Sequence, residues 1–453
     1  MDRRRFLEAC SLAGLGATAG CAGVVAPRTD GASGSPPTFE GAPDRGPLPQ
    51  VEAPTEGFVT GNTGFGFALQ ARLADQAPME NRFLSPYSIG VALAMVYAGA
   101  RGQTREEMAE TLRYHPTDEG LHRSIAALRA DLPFGDPDRT PTPTPTTNEN
   151  PQHGESKKMP FQLLAANAAW FQTGFPIREA YRRTLTEYYG ITAGRVDFED
   201  HHERARRQIN AWVADQTRQE IPELFPPDSL AARTRLVLAN AVYFQASWAD
   251  RFTADATEPA SFTALDGSTQ EVSMMHEHMT VPYGRVDGHE IIELPYAGPG
   301  VDMVVVLPEA GRFREVERSL TPRRFAALLD ATEQREGDVV LPRFQHRSSL
   351  SLPEYLQAMG MQRAFSGRAE FSGISPAGED LAIGDVQHEA TITVDEEGTE
   401  AAAATGVEVV LVSAPANPFE FRADRPFIYA IRHRSTGAIL FLGRLVDAAA
   451  AQT

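Results

Sequence analysis

The chain has 453 residues and a formal net charge of −18. That length suits one large domain or two to three ordinary ones, and that charge argues against a nucleic-acid or anionic-membrane partner. Of 42 basic residues only Lys157 and Lys158 are lysine, and an acidic, lysine-poor surface suits a high-salt medium, where screening tolerates self-repulsion.

The chain opens on Arg3-Arg4-Arg5-Phe6-Leu7, followed by an apolar run of small residues over 9–20. This pattern predicts a twin-arginine-type export signal over residues 1–20, too short to stay as a membrane-spanning helix. Thr18-Ala19-Gly20-Cys21 resembles a lipobox, in which Cys21 becomes the lipidated new N-terminus. The expected location is then extracellular, at the cell surface, with the membrane touched only through the lipid. Cys10 is the other cysteine, so the folded part holds no disulfide. Residues 21–56 are rich in Pro, Gly and Ala and read as a disordered tether, because they offer too little apolar surface to order themselves.

Folded structure is expected over residues 57–448. Helical periodicity runs over 58–76 and again over 91–99. Thr104 with Glu107 three residues on reads as a capping box. Residues 133–160, including Pro141-Thr142-Pro143-Thr144-Pro145, lack apolar periodicity and read as an exposed extended insertion. Strands are expected over 161–170, 191–198 and 236–248, and helices over 177–189 and 205–217. Alternating strands fill 262–307, and a strand, a helix and a further strand (381–394) lead to the C-terminal region. This mixture predicts an α+β domain with large mixed or antiparallel sheets.

The residues then reach Glu396-Glu397-Gly398-Thr399-Glu400-Ala401-Ala402-Ala403-Ala404. As a strand, this stretch would place Thr399, Ala401 and Ala403 on one uncharged face. As a loop, its small side chains leave little to hold it down. A capped first turn of a helix is the competing local reading. Fitness for two states suggests a switch.

This stretch resembles the hinge of an inhibitory serpin. The resemblance extends to Asn81-Arg82-Phe83-Leu84-Ser85-Pro86-Tyr87-Ser88, to Leu238-Ala239-Asn240-Ala241-Val242-Tyr243-Phe244, to Asp424-Arg425-Pro426-Phe427 and to the C-terminal strand around Phe441-Leu442-Gly443. It implies the serpin fold, with about nine helices around the sheets and an exposed reactive loop over 396–418. It also implies a serine-protease inhibitor, not an enzyme, that is cut in its loop and traps the attacking protease as a covalent acyl-enzyme while the loop inserts into the main sheet. The family's hinge-to-bond spacing, counted from Glu396, sets the scissile bond at Val412-Ser413. Counting back from Pro426 gives a slightly longer loop and admits Leu411-Val412. An apolar residue there suits an elastase- or subtilisin-like target. Ser85, Ser88, Asn240 and His388 match a polar cluster under the sheet opening, and Trp248 matches an aromatic at the top of the sheet. The resemblance leaves two alternatives, a non-inhibitory serpin-fold binding protein and an inhibitor of a cysteine protease by the same trap.

An enzyme reading finds little. There is no Gly-x-Ser-x-Gly elbow, glycine-rich phosphate loop or zinc-type Cys/His spacing. His201-His202 and His276-x-His278 read as solvated loop histidines rather than metal ligands. No cofactor and no metal are expected, and the protein is read as a monomer.

Overall fold

The computed structural model describes residues 41–44, 52–132, 161–298, 300–376, 381–399 and 418–452. The signal, Cys21, the Pro/Thr-rich insertion and the reactive bond at Leu411, Val412 and Ser413 lie outside the described residues.

Helix α1 (Glu56–Gln76) buries Phe58, Phe65, Leu69 and Leu73 and leads to strand β1 (Arg82–Leu84). Helix α2 (Pro86–Tyr97) starts at Ser85, whose hydroxyl accepts the Ser88 amide at 3.0 Å. Pro86 follows at a position where no N–H is needed. All 12 of its residues are buried, as an apolar helix enclosed by protein on every side must be.

Helices α3 (Gly102–Leu112) and α4 (Asp118–Asp131) follow. The expected capping box fails here. Helix α3 begins before Thr104, and both box residues serve another segment. Thr104 Oγ1 accepts from the Glu370 amide at 3.0 Å, and Glu107 Oε2 accepts from the Arg363 amide at 2.7 Å. The spacing was right, but the needy donors lie across the fold rather than in the helix.

Strand β2 (Phe161–Gln172) is followed by α5 (Glu179–Tyr189), β3 (Gly194–Val196) and α6 (Phe198–Gln216). The strand expected over 191–198 shrinks to three residues because Asp197 caps α6, accepting from the Asp200 amide at 3.1 Å. His201 and His202 therefore sit on the first turns of a helix, not in a loop, and His201 Nδ1 lies 2.8 Å from Asp197. The chain continues through β4 (Leu236–Ser247), β5 (Glu258–Thr263), β6 (Thr269–Val286), β7 (His289–Pro295) and β8 (Val301–Leu307). Then come α7 (Phe313–Ser319), α8 (Pro322–Leu329), β9 (Glu333–Pro342), β10 (Phe344–Ser351) and α9 (Pro353–Ala358). Strands β11 (Asp385–Val394), β12 (Gly398–Thr399), β13 (Phe419–Arg422), β14 (Phe427–His433) and β15 (Ala438–Leu445) close the fold.

Two sheets result. A 9-stranded sheet runs β1-β15-β14-β8-β7-β6-β9-β13, with β5 on β6, and a 6-stranded sheet runs β10-β11-β4-β2-β3, with β12 on β4. With nine α-helices among the described residues, the architecture is α+β. Strands β2 and β4 pair antiparallel along nearly their whole length and carry almost continuous burial, as the centre of a covered sheet must. Trp170, Phe171, Phe244 and Phe441 are buried here, each contributing roughly 1.5–3 kcal/mol.

Residues 41–44 correct the tether reading. They lie beside β3 and the residues that lead into it, joined by backbone hydrogen bonds to Arg195 and Thr192.

Candidate functional site: a seated hinge above a polar latch

The 6-stranded sheet is closed below and parted above. Strand β11 pairs parallel with β4 from Asp385↔Val237 up to Thr391↔Tyr243, and no further. Beyond that point, among the described residues, β11 keeps only its antiparallel partner β10, up to Phe344↔Val394. The chain then turns at Asp395, whose amide donates to Gly398 O at 2.9 Å. It re-enters as β12, antiparallel to β4, with Gly398↔Ser247 and Thr399↔Ala246. A strand lying between parallel β11 and β4 would run in that same direction. Two residues of the predicted hinge thus already occupy the top of that position.

The seat is fitted to its residues. Gly398 sits at φ +147°, where an added Cβ would lie 2.2 Å from Ala246 O, so only glycine fits. Thr399 is fully buried, and its hydroxyl shares a hydrogen bond with Tyr296 at 2.9 Å. Trp248 stacks on Tyr296 with ring centroids 4.5 Å apart and 8° between planes. Its indole N–H donates to Asp395 O at 2.9 Å, and its amide donates to Glu397 O at 3.0 Å. Trp248 therefore holds the turn as well as packing beneath it.

The acids ahead of the hinge are paired. Arg343 reaches Glu396 Oε2 at 2.6 Å, and the Thr257 hydroxyl donates to Glu396 Oε1. Burial works against charge on Glu396, but those two partners hold its carboxyl below the usual range. Glu397 meets Arg251 at 2.6 Å as an ion pair. Burial pushes the Asp395 carboxyl up, although it accepts from the amides of Glu397 and Gly398 at 3.0 and 3.1 Å. The rest of the hinge, Ala401, Ala402, Ala403 and Ala404 with Glu400, lies outside the described residues.

Below the parting sits the polar cluster. His388 and Asn240 are register partners on β11 and β4, and Ser85 and Ser88 open α2 beneath them. Burial pushes the His388 imidazole down to about 3, so it is neutral at physiological pH. Its Nε2 accepts from the Ser85 amide at 3.1 Å, which leaves Nδ1 to donate to Asn240 Oδ1. Asn240 Nδ2 donates to Ser88 Oγ at 2.7 Å, and the Ser85 hydroxyl donates to Leu440 O at 2.6 Å. The structure adds a fifth member, Asn167 of β2, whose Oδ1 accepts from Ser88 Oγ at 2.9 Å and from Asn240 Nδ2 at 2.5 Å. Asn167 is register partner to Asn240. The one signal for it was a lone amide in the apolar run Leu163 to Trp170. Tyr296, Arg343 and Arg251 were also missed, since nothing local in their sequence marks them. The cluster ties β11, β4 and β2 to α2 where a parting sheet would have to separate.

The remaining expected site residues lie apart. His276 and His278 are on β6, not in a loop. His278 Nδ1 faces Asp338 at 3.1 Å and its Nε2 faces Glu336 at 3.0 Å, and hydrogen bonds to these two acids raise its affinity for a proton. Among the described residues no group of three His, Cys, Asp or Glu side chains is placed to hold a metal ion.

Comparison with known proteins fits this geometry. The family model described as Serpin (serine protease inhibitor) matches residues 60–448. The chain belongs to the serpin family. It is 39% identical over 392 residues to an uncharacterized serpin-like protein of Thermococcus kodakarensis, covering 86% of this chain and 85% of that one. It is 35% identical to the leukocyte elastase inhibitor of Bos taurus, covering 85% and 97%. Among solved structures, human thyroxine-binding globulin superposes with a TM-score of 0.74 at 27% identity, covering 87% and 99%. Family membership supports a non-catalytic, inhibitory role for this serpin.

Proposed function

We propose that this serpin inhibits a serine protease by suicide trapping. The observation that carries the reading is the seated hinge, with Gly398 and Thr399 hydrogen-bonded antiparallel on β4 above a sheet that is still closed. The protease attacks the loop at Val412-Ser413, or at Leu411-Val412, and forms an acyl-enzyme. The freed chain continues the strand that Thr399 has begun. Inserting about 14 residues at about 3.3 Å each carries the bound protease roughly 46 Å, close to the width of a globule of this size, of the order of 55 Å. The protease active site is distorted before water can release it. The apolar bond suits an elastase- or subtilisin-like target. Small residues at Ala401 to Ala404 favour insertion, and so favour the trap over a binding protein whose loop never enters the sheet.

On the same reading the protein is a monomer, exported by its twin-arginine-type signal, lipid-anchored at Cys21 and displayed at the cell surface. A Cys21→Ser variant should then leave the membrane fraction.

The deciding experiment mixes the mature chain with subtilisin and with elastase at high salt, followed by a denaturing gel and mass analysis of the released peptide. A band at the summed mass supports the trap, and the peptide places the bond. Cleavage of the loop by both enzymes with no such band, and with no rise in thermal stability after cleavage, refutes it.

A further inference from the structure

Residues 41–44 precede every helix and strand of the domain, yet they are bound to it at both ends. Gly41 O accepts from the Arg195 amide at 2.7 Å, and Asp44 O accepts from the Thr192 amide at 2.9 Å. The Asp44 amide donates back to Thr192 Oγ1 at 2.7 Å. The Arg195 bond occupies the free edge of β3, a strand of three residues whose one sheet partner among the described residues is β2, and the other two bonds lie at Thr192, just before the strand. Left open, that edge would present the Arg195 amide unpaired at the border of the 6-stranded sheet.

The fit is specific. Gly41 adopts φ +102°, and an added Cβ would lie 2.4 Å from Arg195 O. Pro43 is buried over Gly194, where an added Cβ would meet Pro43 Cγ at 3.1 Å and the Trp170 ring at 2.5 Å. Trp170 of β2 packs edge-on against Trp212 of α6, with centroids 5.6 Å apart and 82° between planes. Helix α6 lies across β2 and β4. Ala42 packs on the main core. A continuous line of contacts thus runs from the segment through Pro43, Gly194 and Trp170 to Trp212.

This line bears on the slot. A strand can enter between β4 and β11 only if β4, with β2 and β3 hydrogen-bonded beyond it, shifts away from β11 by about one strand spacing, roughly 4.8 Å. Helix α6 must shift too, because it rests on β4 and β2. We propose that the edge of β3 is a docking surface for the chain's own residues 41–44, which act as a clasp. The clasp pins the outer border of that block and, through Trp170 and Trp212, the seat of α6, and so resists premature opening of the sheet. The consequence for inhibition rests on the trap reading; the coupling from clasp to α6 does not.

The test compares the mature chain with Gly41→Val, which forces a side chain against Arg195 O, and with a chain lacking residues 41–44. Hydrogen exchange is followed at the amides of Thr192 and Arg195, along α6 including Trp212, and along β4. Spontaneous conversion of the uncut protein to a more urea-resistant form is followed at fixed temperature on native gels. The expected result is faster exchange at β3 and at α6 in both variants, with conversion about tenfold faster, the size that loss of one or two net hydrogen bonds supports. Faster exchange at β3 alone, with α6 and conversion unchanged, overturns the proposal, as does no change anywhere. If neither the parent nor the variants convert and neither traps protease, the inhibitory reading falls, and exchange along α6 alone decides for or against the clasp.

Discussion

Thr399 and Tyr296 share a hydrogen bond at 2.9 Å between side chains that are both buried, 103 residues apart in the chain. The residue that follows Gly398 is therefore anchored inside the sheet. A Thr399→Arg chain would have to bury an unpaired guanidinium there, which is strongly unfavourable. The hinge should unseat and later insertion should stall. The expected outcome on a denaturing gel is cleavage without a covalent complex. Normal complex yield from Thr399→Arg would sink the dependence of insertion on a seated Thr399.

Gly398→Ala tests the backbone rather than the side chain. At φ +147° an alanine meets Ala246 O, Ser247 Cα and the Trp248 amide at 2.2, 2.5 and 2.8 Å. Holding that geometry would cost about 1–3 kcal/mol, so the chain should leave the seat instead. Hydrogen exchange at the amides of Trp248 and Phe252, which donate to Glu397 O and Glu396 O, should then accelerate by ten- to a hundredfold. Unchanged protection would mean that the turn at Asp395 holds without β12.

The latch carries a pH dependence with a defined sign. His388 is pushed down to about 3 by burial, below its ordinary value of 6.5. The unfolded chain therefore takes up a proton first as pH falls. The stability this histidine contributes is complete above pH 6.5 and is lost between 6.5 and 3, at up to about 1.4 kcal/mol per pH unit. His346, at about 3, and His122, at about 4, act in the same direction. Asp302, raised to about 6 by burial, opposes them in part. Protonating Nε2 of His388 would also set its N–H against the Ser85 amide. Urea unfolding from pH 7 to pH 4.5 should show stability falling, with a shallower slope in His388→Gln. Parallel slopes would rule out His388 as the titrating group.

Asn167→Ala should matter more than its position suggests. It removes the acceptor for both Ser88 Oγ and Asn240 Nδ2 at the centre of the cluster. Leaving such donors unsatisfied costs about 1–3 kcal/mol. The expected result is a lower urea midpoint and faster conversion of the uncut protein, while a surface control such as Gln345→Ala changes neither. An Asn167→Ala chain as stable as the parent would exclude Asn167 from the latch.

Much of this was legible in the sequence, for reasons that can be named. Ser85 and Ser88 flank Pro86 at a helix start, and the local rules for caps place them there. Asn240 and His388 were placed only through the family pattern, since nothing local tells two distant strands to pair. Asn167 was hidden because its role depends on the β2–β4 register, which a single strand does not encode. Thr104 and Glu107 misled because side-chain capping has the same residues and spacing whether the recipient is the helix itself or the segment holding Arg363 and Glu370. Composition likewise described residues 41–44 correctly as poor in large apolar groups, yet three hydrogen bonds and one buried proline are enough to dock them. Legibility ended wherever the partner lay far away in the chain.

On the trapping reading the position that β12 begins on β4 is filled once. A cut loop then does not come back out, so each molecule acts on one protease and is then spent. Protection is in that case a titration rather than a rate. Proteolysis then stays near zero while uncut molecules outnumber attackers and rises abruptly when the last of them has closed, and the position of that threshold is set by how much of the protein is present.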